Sequence, residues 1–313
     1  MRIAIVGAGS MGLLLANLLS KNEESEIWLL DIHPDRERKI RKEGLFVEGV
    51  SGDHHVRPRI TVTPEEIGRV DLIVLCVKAP DTSEAARNAK PLVGPDTAVL
   101  TLQNGLGNIE AIESAVGPGR ALGGTTSMGA TALGPNRVRH AGWGETVIGE
   151  PRGGMTNRAE AILELLRLAG LEPSFTDNLD GLLWSKLIIN VGINALTALT
   201  RIRNGELLNH EGTGAVMEMA VEEAAEVAHA LGIRLLYDHP VKKVVGVCEA
   251  TAANISSMLQ DVLREKKTEI EQINGAVVRE AARLGIRTPV NETLLGLVKT
   301  LEESYSKRIQ GSN

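Results

Sequence analysis

A glycine-rich segment near the start of the chain has the spacing of a dinucleotide-binding loop. It follows a strand-like run over residues 2–6, precedes a helical run over residues 13–19, and reads Gly7-Ala8-Gly9-Ser10-Met11-Gly12. In such a loop the first glycine allows the tight turn, the second lets the backbone approach a diphosphate, and the third lets helix and strand pack closely. The diphosphate would lie on unpaired N–H groups at the helix start, where the helix dipole favours negative charge.

An acidic residue stands where such a site would hold a ribose. A second strand-like run, Glu26 to Leu30, ends in Asp31. This is about the 20-residue spacing at which a carboxylate accepts hydrogen bonds from the ribose hydroxyls. A coincidental glycine turn is the alternative. We interpret the six loop residues and Asp31 as a dinucleotide site.

Two polar residues follow apolar runs that are typical of buried parallel strands. Lys78 follows the run 71–77, and Asn104 follows the run 97–102. Open α/β sheets bind ligands at the carboxyl ends of their strands. Both residues are therefore candidates for the coenzyme site, and the alternative is a loop residue with no role.

Three polar residues recur within the apolar run from Leu182 to Thr200. Lys186, Asn190 and Asn194 stand at positions i, i+4 and i+8, so a helix would place them on one face. A helix that is apolar almost all round is buried, and a buried lysine is costly unless it is paired or functional. The alternative is a lysine that reaches solvent at the helix edge, beside asparagines that satisfy nearby backbone groups.

A second polar row begins at Ser257. Asp261 lies one helical turn later, Glu265 and Thr268 continue the row, and Glu269 drifts off it because a turn holds 3.6 residues. The row indicates either a second part of the same site or a solvated helix face. Spacing alone does not orient Glu269.

The elements that carry these residues fall into two groups. Strand and helix patterns alternate through the first half, with a strand pair at 45–49 and 56–62, further strands within 121–149, a helix over 158–168 that ends at Gly170, and a last strand at Phe175. From Asp180 onward helical patterns dominate, at 182–200, 213–230 and 251–284, the last broken, if at all, near Gly275. A final helix runs through Leu301 with Asn291 as its N-cap.

These patterns predict an α/β protein of two domains. A doubly wound, mostly parallel sheet of Rossmann type spans residues 1–177, and an all-α domain spans residues 178–313.

Composition excludes several classes of protein. The 313 residues carry a formal net charge of −6 and lack basic runs, which argues against nucleic acid or an anionic membrane as partner. Charges interrupt the apolar stretches, so no transmembrane helix is expected. Two cysteines provide neither a disulfide framework nor metal-ligand spacing, so no metal is expected. The first residues already read as a core strand, which leaves no room for a signal peptide and favours the cytoplasm.

Taken together, the chain resembles the ketopantoate reductases (2-dehydropantoate 2-reductases) along nearly its whole length. It shares the glycine loop, Val77-Lys78-Ala79, the segment from Gln103 to Gly107, and Asn204-Gly205-Glu206. It also shares Trp184-Ser185-Lys186-Leu187 with Asn190 and Asn194 following at their spacing. The most specific motifs are the pair 254–261 and 268–275, and the segment 285–291 also fits.

The resemblance implies a reduction of 2-dehydropantoate to pantoate by a nicotinamide coenzyme, on the route to pantothenate and coenzyme A. It implies that Lys186 is the catalytic lysine and general acid and that Glu269 is its inward-facing partner carboxylate. Asn104, Asn190, Asn194 and Ser257 would contact the substrate, a small 2-keto acid, and Asp261 would support the site. Apart from the resemblance, the broadly apolar faces of the helical domain fit a homodimer, and the pattern fits a monomer equally well.

One position departs from the family pattern. Members that use NADP(H) tend to have a basic residue where this chain has Asp31, and a carboxylate there would repel a 2′-phosphate. Arg36 and Arg38 lie nearby and could compensate. Asp31 therefore favours NAD(H) over NADP(H). The alternative functions are a related two-domain dehydrogenase of another 2-keto or 3-hydroxy acid, and a non-catalytic NAD(P)-sensing protein, which would have no reason to keep Lys186, Asn190, Ser257 and Glu269 together.

Overall fold

The computed structural model describes residues 1–308, which form two compact units. The first consists of Met1–Gln103 and Asn108–Leu179, and the second consists of Asn104–Gly107 and the chain from Asp180 onward. The short segment 104–107 was not expected in the second unit. It groups there because Leu106 N–H donates to the carbonyl oxygen of Gln272 at 3.0 Å. Gly105 packs so close that a Cβ would lie 2.5 Å from the same oxygen.

The first unit contains an eight-stranded sheet of the predicted doubly wound type. Its strands are β1 (Arg2–Val6), β2 (Glu26–Leu30), β5 (Arg59–Thr61), β6 (Val70–Leu75), β7 (Val93–Thr101), β8 (Ala121–Thr126), β11 (Thr146–Gly149) and β12 (Pro173–Phe175). The order β12-β11-β8-β7-β6-β1-β2-β5 is parallel except between β8 and β11. The strand order reverses between β1 and β6, so the ends of these two strands form the crevice where such sheets bind ligands.

Apolar side chains cover both faces of this sheet. Ile3 and Ile5 of β1 belong to one core, while Ala4 and Val6 belong to the core on the opposite face, as the two-residue period of a strand requires. The helices of the unit are α1 (Ser10–Leu19), α2 (Pro34–Glu43), α3 (Thr82–Asn88), α4 (Asn108–Val116) and α5 (Asn157–Leu168). Gly170, at φ +83°, follows the end of α5 as expected.

A second, smaller sheet corrects one expectation. Its strands are β3 (Leu45–Gly49), β4 (His54–Val56), β9 (Gly129–Gly134) and β10 (Arg137–Gly142), in the order β4-β3-β10-β9. The predicted strand 56–62 is divided between the two sheets: β4 pairs with β3, whereas β5 pairs with β2. Pro58 stands between the two strands, and a residue without an N–H cannot continue a ladder.

The second unit is helical in its described part. Its helices are α6 (Leu179–Thr200), α7 (Glu211–Ala230), α8 (Pro240–Ala250), α9 (Ser257–Leu263), α10 (Asn274–Leu284) and α11 (Pro289–Glu303). Helix α8 was not predicted. Helix α6 lies at the centre, where Gly192 lets α7 and α8 approach, because a Cβ there would lie 2.8 Å from side chains of Val221 and Val244.

Helix α6 also bears on the membrane expectation. We expected charges to interrupt every apolar stretch, but this helix is long and apolar enough to cross a membrane. Its mean hydropathy is 1.5 over the most apolar 18 residues. However, 72% of that window is buried inside the protein. A core helix passes the same test, so the packing accounts for its composition.

The predicted helix over 251–284 is wrong, because the chain is helical only in α9 and α10. Ser256 begins α9 by accepting a hydrogen bond from Leu259 N–H. The helix ends before Glu265, which adopts φ +52°, and Lys266 N–H returns to the carbonyl oxygen of Asp261 at 2.9 Å. This helix end was not predicted from the sequence, because the left-handed residue that follows a helix is usually a glycine and here it is a glutamate. Glu265 and Thr268 therefore do not continue the row of Ser257 and Asp261.

The predicted N-cap role of Asn291 is also wrong. Helix α11 starts at Pro289, a residue well suited to a first turn, and Thr288 precedes it. Asn291 lies inside that first turn and is fully buried. Its amide donates to Glu223 and Ala220 of α7 and accepts from Asn274 of α10, so it joins three helices.

Candidate active site

The glycine loop of the first unit has the geometry that its spacing predicts. Gly7, at φ +99°, directly follows β1, and a Cβ there would lie 2.7 Å from Cγ1 of Val77, which follows β6. A Cβ on Gly12 would lie 2.0 Å from the carbonyl oxygen of Gly7, so only glycine lets α1 pack here. At Gly9 the nearest described atom to a Cβ, the carbonyl oxygen of Cys76, is 4.0 Å away. Space therefore remains beside the backbone of Gly9.

The first turn of α1 is suited to an anion. Gly9 precedes the helix without a capping side chain, and no acidic residue stands in that turn, which contains Ser10, Met11 and Gly12. The first N–H groups of a helix have no partner within it, and its dipole places partial positive charge there. Together with the space beside Gly9, this turn can hold a diphosphate.

Asp31 lies at the end of β2 and is only 4% exposed. Its Oδ2 accepts from Ala8 N–H at 2.9 Å and from Arg36 Nη1 at 2.5 Å, and its Oδ1 accepts from the N–H groups of Ile32 and His33. The carboxylate thus links the glycine loop to the start of α2. Its ion pair with Arg36 could not be inferred from spacing, because an i,i+5 pair lies outside the regular helical pattern.

Gln103, which spacing did not indicate as functional, links the segments that follow β6 and β7 by hydrogen bonds. Gln103 Nε2 donates to the carbonyl oxygen of Val77 and to Thr82 Oγ1, both at 2.8 Å, and its Oε1 accepts from Thr101. Lys78 follows β6 on the exposed surface of the first unit. Gln103 therefore orders the backbone next to Lys78.

In the second unit, Lys186 occupies an environment unlike that of a surface lysine. Burial lowers its pKa to about 8 from the usual 10.5, while the negative charge of Glu269 raises it and offsets part of the shift. Glu269 is only 5% exposed, and its Oε2 accepts from Asn104 Nδ2 at 3.2 Å. The unit thus brings together an ammonium, a carboxylate and an amide from three separate parts of the chain.

The same unit positions the remaining polar candidates. Asn194 Nδ2 donates to Ser257 Oγ at 3.4 Å, which brings α6 and the start of α9 together. Behind them, the hydroxyl oxygens of Thr197 and Ser256 lie 2.6 Å apart. The Nδ2 of Asn190 is buried and has no hydrogen-bond partner in the part of the chain that the structure describes. Such an unsatisfied donor is costly, so Asn190 is a candidate for a contact with a ligand.

The two predicted groups of site residues accordingly fall in different units. The glycine loop, Asp31 and Lys78 belong to the first, whereas Lys186, Glu269, Asn104, Asn190, Asn194, Ser257 and Asp261 belong to the second. Asp261 is buried on α9, one turn after Ser257. The structure orients Glu269 into the interior, which periodicity alone left open. No cluster of histidine, cysteine and acidic residues able to hold a metal occurs within residues 1–308.

Comparison with known proteins decides the family. The ketopantoate reductase PanE/ApbA family model matches residues 3–153, and the model of its C-terminal domain matches residues 178–302. The chain belongs to the ketopantoate reductase family. A relative from Halobacterium salinarum, named 2-dehydropantoate 2-reductase, is 38% identical over 300 residues, covering 96% of this chain and 98% of the relative.

Solved structures show the same architecture. A PanE/ApbA family ketopantoate reductase from Ralstonia eutropha aligns with a TM-score of 0.90 at 33% identity, over 97% of this chain and 99% of its own. A D-mandelate dehydrogenase in ternary complex with NADH and anilino(oxo)acetate aligns with a TM-score of 0.88 at 29% identity, over the same shares of the two chains. That neighbour contains NADH together with anilino(oxo)acetate. Both alignments extend over the two units of this ketopantoate reductase family member.

Proposed function

We propose that this protein is a 2-dehydropantoate 2-reductase, which converts 2-dehydropantoate to pantoate for pantothenate and coenzyme A synthesis. The observation that carries the proposal is the Lys186–Glu269–Asn104 group, in which burial lowers the pKa of the lysine to about 8. A general acid works best when its pKa lies near the working pH. The names of full-length relatives support the choice of substrate.

Lys186 is the proton donor in this proposal. The nicotinamide, when bound, supplies a hydride to C2 of the substrate, and negative charge then develops on the former keto oxygen. The ammonium of Lys186 donates a hydrogen bond to that oxygen and then a proton, which yields the alcohol and a neutral amine. Glu269 favours the protonated lysine before the reaction, since its charge raises the pKa. Water returns the proton to the amine afterwards.

The neighbouring amides and hydroxyl hold the substrate. The unpartnered Nδ2 of Asn190 is a donor without an acceptor, which a carboxylate or hydroxyl oxygen of the substrate would satisfy. Asn194 and Ser257 already hydrogen-bond to each other and offer further polar atoms. Fixing the keto acid at several points converts binding energy into orientation of the reacting carbon. Asp261, buried one turn after Ser257, supports this part of the site.

We also propose that the coenzyme is NADH in preference to NADPH. The glycine loop and the first turn of α1 would take the diphosphate. Beside them, the ion pair of Asp31 and Arg36 has no net charge, so a 2′-phosphate gains little attraction while facing a carboxylate. The D-mandelate dehydrogenase of similar fold was solved with NADH, which supports the same preference.

A substrate and coenzyme survey tests both proposals. Loss of NADH or NADPH absorbance is followed with 2-dehydropantoate and, separately, with phenylglyoxylate and unbranched 2-keto acids. We expect the highest kcat/KM with 2-dehydropantoate. A tenfold preference for another keto acid would assign the chain to a different dehydrogenase, and coenzyme binding without turnover of any of them would favour a sensor. Direct titration tests the coenzyme, and several-fold tighter binding of NADPH contradicts the NADH preference.

A further inference from the structure

Glu269 lies in a short non-helical turn between α9 and α10, which we name the Glu269 turn (residues 268–274). Its backbone folds back on itself: the N–H groups of Gln272 and Ile273 donate to the carbonyl oxygen of Glu269 at 3.1 and 3.0 Å. Gly275 N–H donates to the carbonyl oxygen of Ile270 at 3.0 Å. These hydrogen bonds fix the shape of the turn, whereas its contacts with neighbouring elements fix its place in the unit.

One end of the turn is held by a side chain of α11. Glu302 Oε1 accepts a hydrogen bond from Thr268 N–H at 2.7 Å, directly next to Glu269. Thr268 itself is buried, and its hydroxyl accepts from Ile270 N–H at 3.2 Å on the other side of Glu269. A charged acceptor makes this a strong hydrogen bond. The backbone on both sides of Glu269 is thereby fixed.

The other end is held by the same helix. Asn274 Nδ2 donates to Asn291 Oδ1 at 3.0 Å, and both side chains are fully buried. Asn291 is in turn fixed by its own amide, which donates to the Ala220 carbonyl oxygen at 3.0 Å and to Glu223 Oε2 at 2.7 Å. This buried network ties the start of α10 to α11 and, through Asn291, to α7.

We propose that α11 positions the catalytic carboxylate: Glu302 and Asn291, near the two ends of this helix, hold the two ends of the Glu269 turn and so fix Glu269 beside Lys186 and Asn104. The two anchors are eleven residues apart, which is about 16 Å of helix. Both are positioning residues, since they act through Thr268 and Asn274. Their importance for turnover rests on the function proposed above, whereas their effect on Glu269 does not.

The expected signature is a change in the titration of Lys186. Glu269 raises the pKa of this lysine, so any movement of the carboxylate away from it lowers that pKa. Titratable side chains on the elements around α6 include Asp261 on α9, Glu223 on α7 and Tyr237, whose hydroxyl donates to the Ser185 carbonyl oxygen. Substitution at Glu302 leaves all three chemically unchanged.

The experiment is an NMR titration of the full-length protein labelled with [6-¹³C]lysine, with the Lys186 signal assigned by its absence in Lys186→Arg. Glu302→Ala removes both the charge and the acceptor, whereas Glu302→Gln removes the charge and keeps an acceptor oxygen. We expect Glu302→Ala to lower the Lys186 pKa by about half a unit or more and Glu302→Gln to titrate like the parent. In a Glu269→Gln background, Glu302→Ala should add nothing further.

Three results would overturn the proposal. The first is a Lys186 pKa that Glu302→Ala leaves unchanged. The second is an equal shift of that pKa in the Gln and Ala variants of Glu302, which would indicate a direct charge effect. The third is a shift that persists in the Glu269→Gln background. Asn291→Ala tests the second anchor in the same way, with Asn204→Ala, which removes a buried amide bonded to Thr251, as the control for lost stability. Because no substrate is used, these outcomes are distinct from failure of the reductase assay.

Discussion

Each unit carries its own group of candidate site residues, which we call the first half and the second half, and the two groups are built in different ways. The diphosphate loop comes from six consecutive residues, Gly7 to Gly12, with a strand before it and a helix after it. The catalytic group instead combines Asn104, Lys186 and Glu269, whose outermost members are 165 residues apart in sequence. Local spacing can therefore specify the diphosphate loop, whereas only the folded chain brings the second half together.

Removal of the Lys186 ammonium should give the largest effect and tests whether the second half is catalytic at all. Lys186→Ala removes the proposed proton donor, and general-acid assistance typically contributes about 10²–10⁴-fold in rate. We expect turnover to fall within this range while the dissociation constant of the coenzyme changes little. Stopped-flow reduction assays and fluorescence titration of NADH measure the two quantities.

The matched control is Lys243→Ala, which removes an exposed lysine of α8 in the same unit. It should retain parental turnover. Near-normal turnover of Lys186→Ala would contradict the role of this lysine as proton donor.

Two glycine variants test the first half. Gly12→Ala places a Cβ 2.0 Å from a backbone oxygen, so the helix must shift, and such overpacking costs about 1–3 kcal/mol. This exceeds the gain of about 1 kcal/mol that alanine brings to a helix. Gly9→Ala meets its nearest described neighbour at 4.0 Å and should not destabilise the fold.

Thermal unfolding and NADH titration separate the two variants. We expect Gly12→Ala to lower the melting temperature, and Gly9→Ala to keep that temperature but weaken coenzyme binding by about tenfold, as expected for a lost close approach of the diphosphate. If Gly9→Ala binds NADH normally, the diphosphate does not lie against that residue.

These contrasts explain how far the sequence could predict the structure. The parallel sheet and its glycine loop could be predicted because their signals are local in sequence. These signals are the apolar strand runs, the glycine spacing and the position of Asp31. The end of α9 was missed, since Glu265 adopts a left-handed conformation although it is not a glycine. Asn291 resembled an N-cap in sequence but serves a buried network across three helices. The orientation of Glu269 depends on contacts with Asn104 and α11, which no local period reports.

The pH dependence of reduction tests the coupling inside the second half. Only the protonated lysine can donate, so kcat/KM should fall as the pH rises through about 8, the pKa of Lys186. Burial lowers this pKa and Glu269 raises it. Glu269→Gln removes the raising charge, and we therefore expect the falling limb to move to lower pH by about one unit.

The control for this shift is Glu249→Gln, an exposed carboxylate at the end of α8. Its pH profile should match that of the parent. A limb that moves to higher pH in Glu269→Gln would contradict the assigned sign, and a limb that stays in place would separate Glu269 from the lysine.

The smallest expected effect concerns Asp31, whose role lies at the border of what spacing predicts. Asp31→Asn keeps one of the two acceptor oxygens, enough for the N–H groups of Ile32 and His33 at the Oδ1 position, but it loses the acceptor of Ala8 N–H and the charge that neutralises Arg36. The released guanidinium can then pair with a 2′-phosphate, so the ratio of NADPH to NADH affinity should rise by about five- to tenfold, or roughly 1 kcal/mol. Arg36→Gln should leave NADH binding intact and weaken NADPH, because no cation then remains at this position. If both variants leave the ratio unchanged, the ribose does not approach this ion pair, and the carboxylate serves only to join the glycine loop to α2.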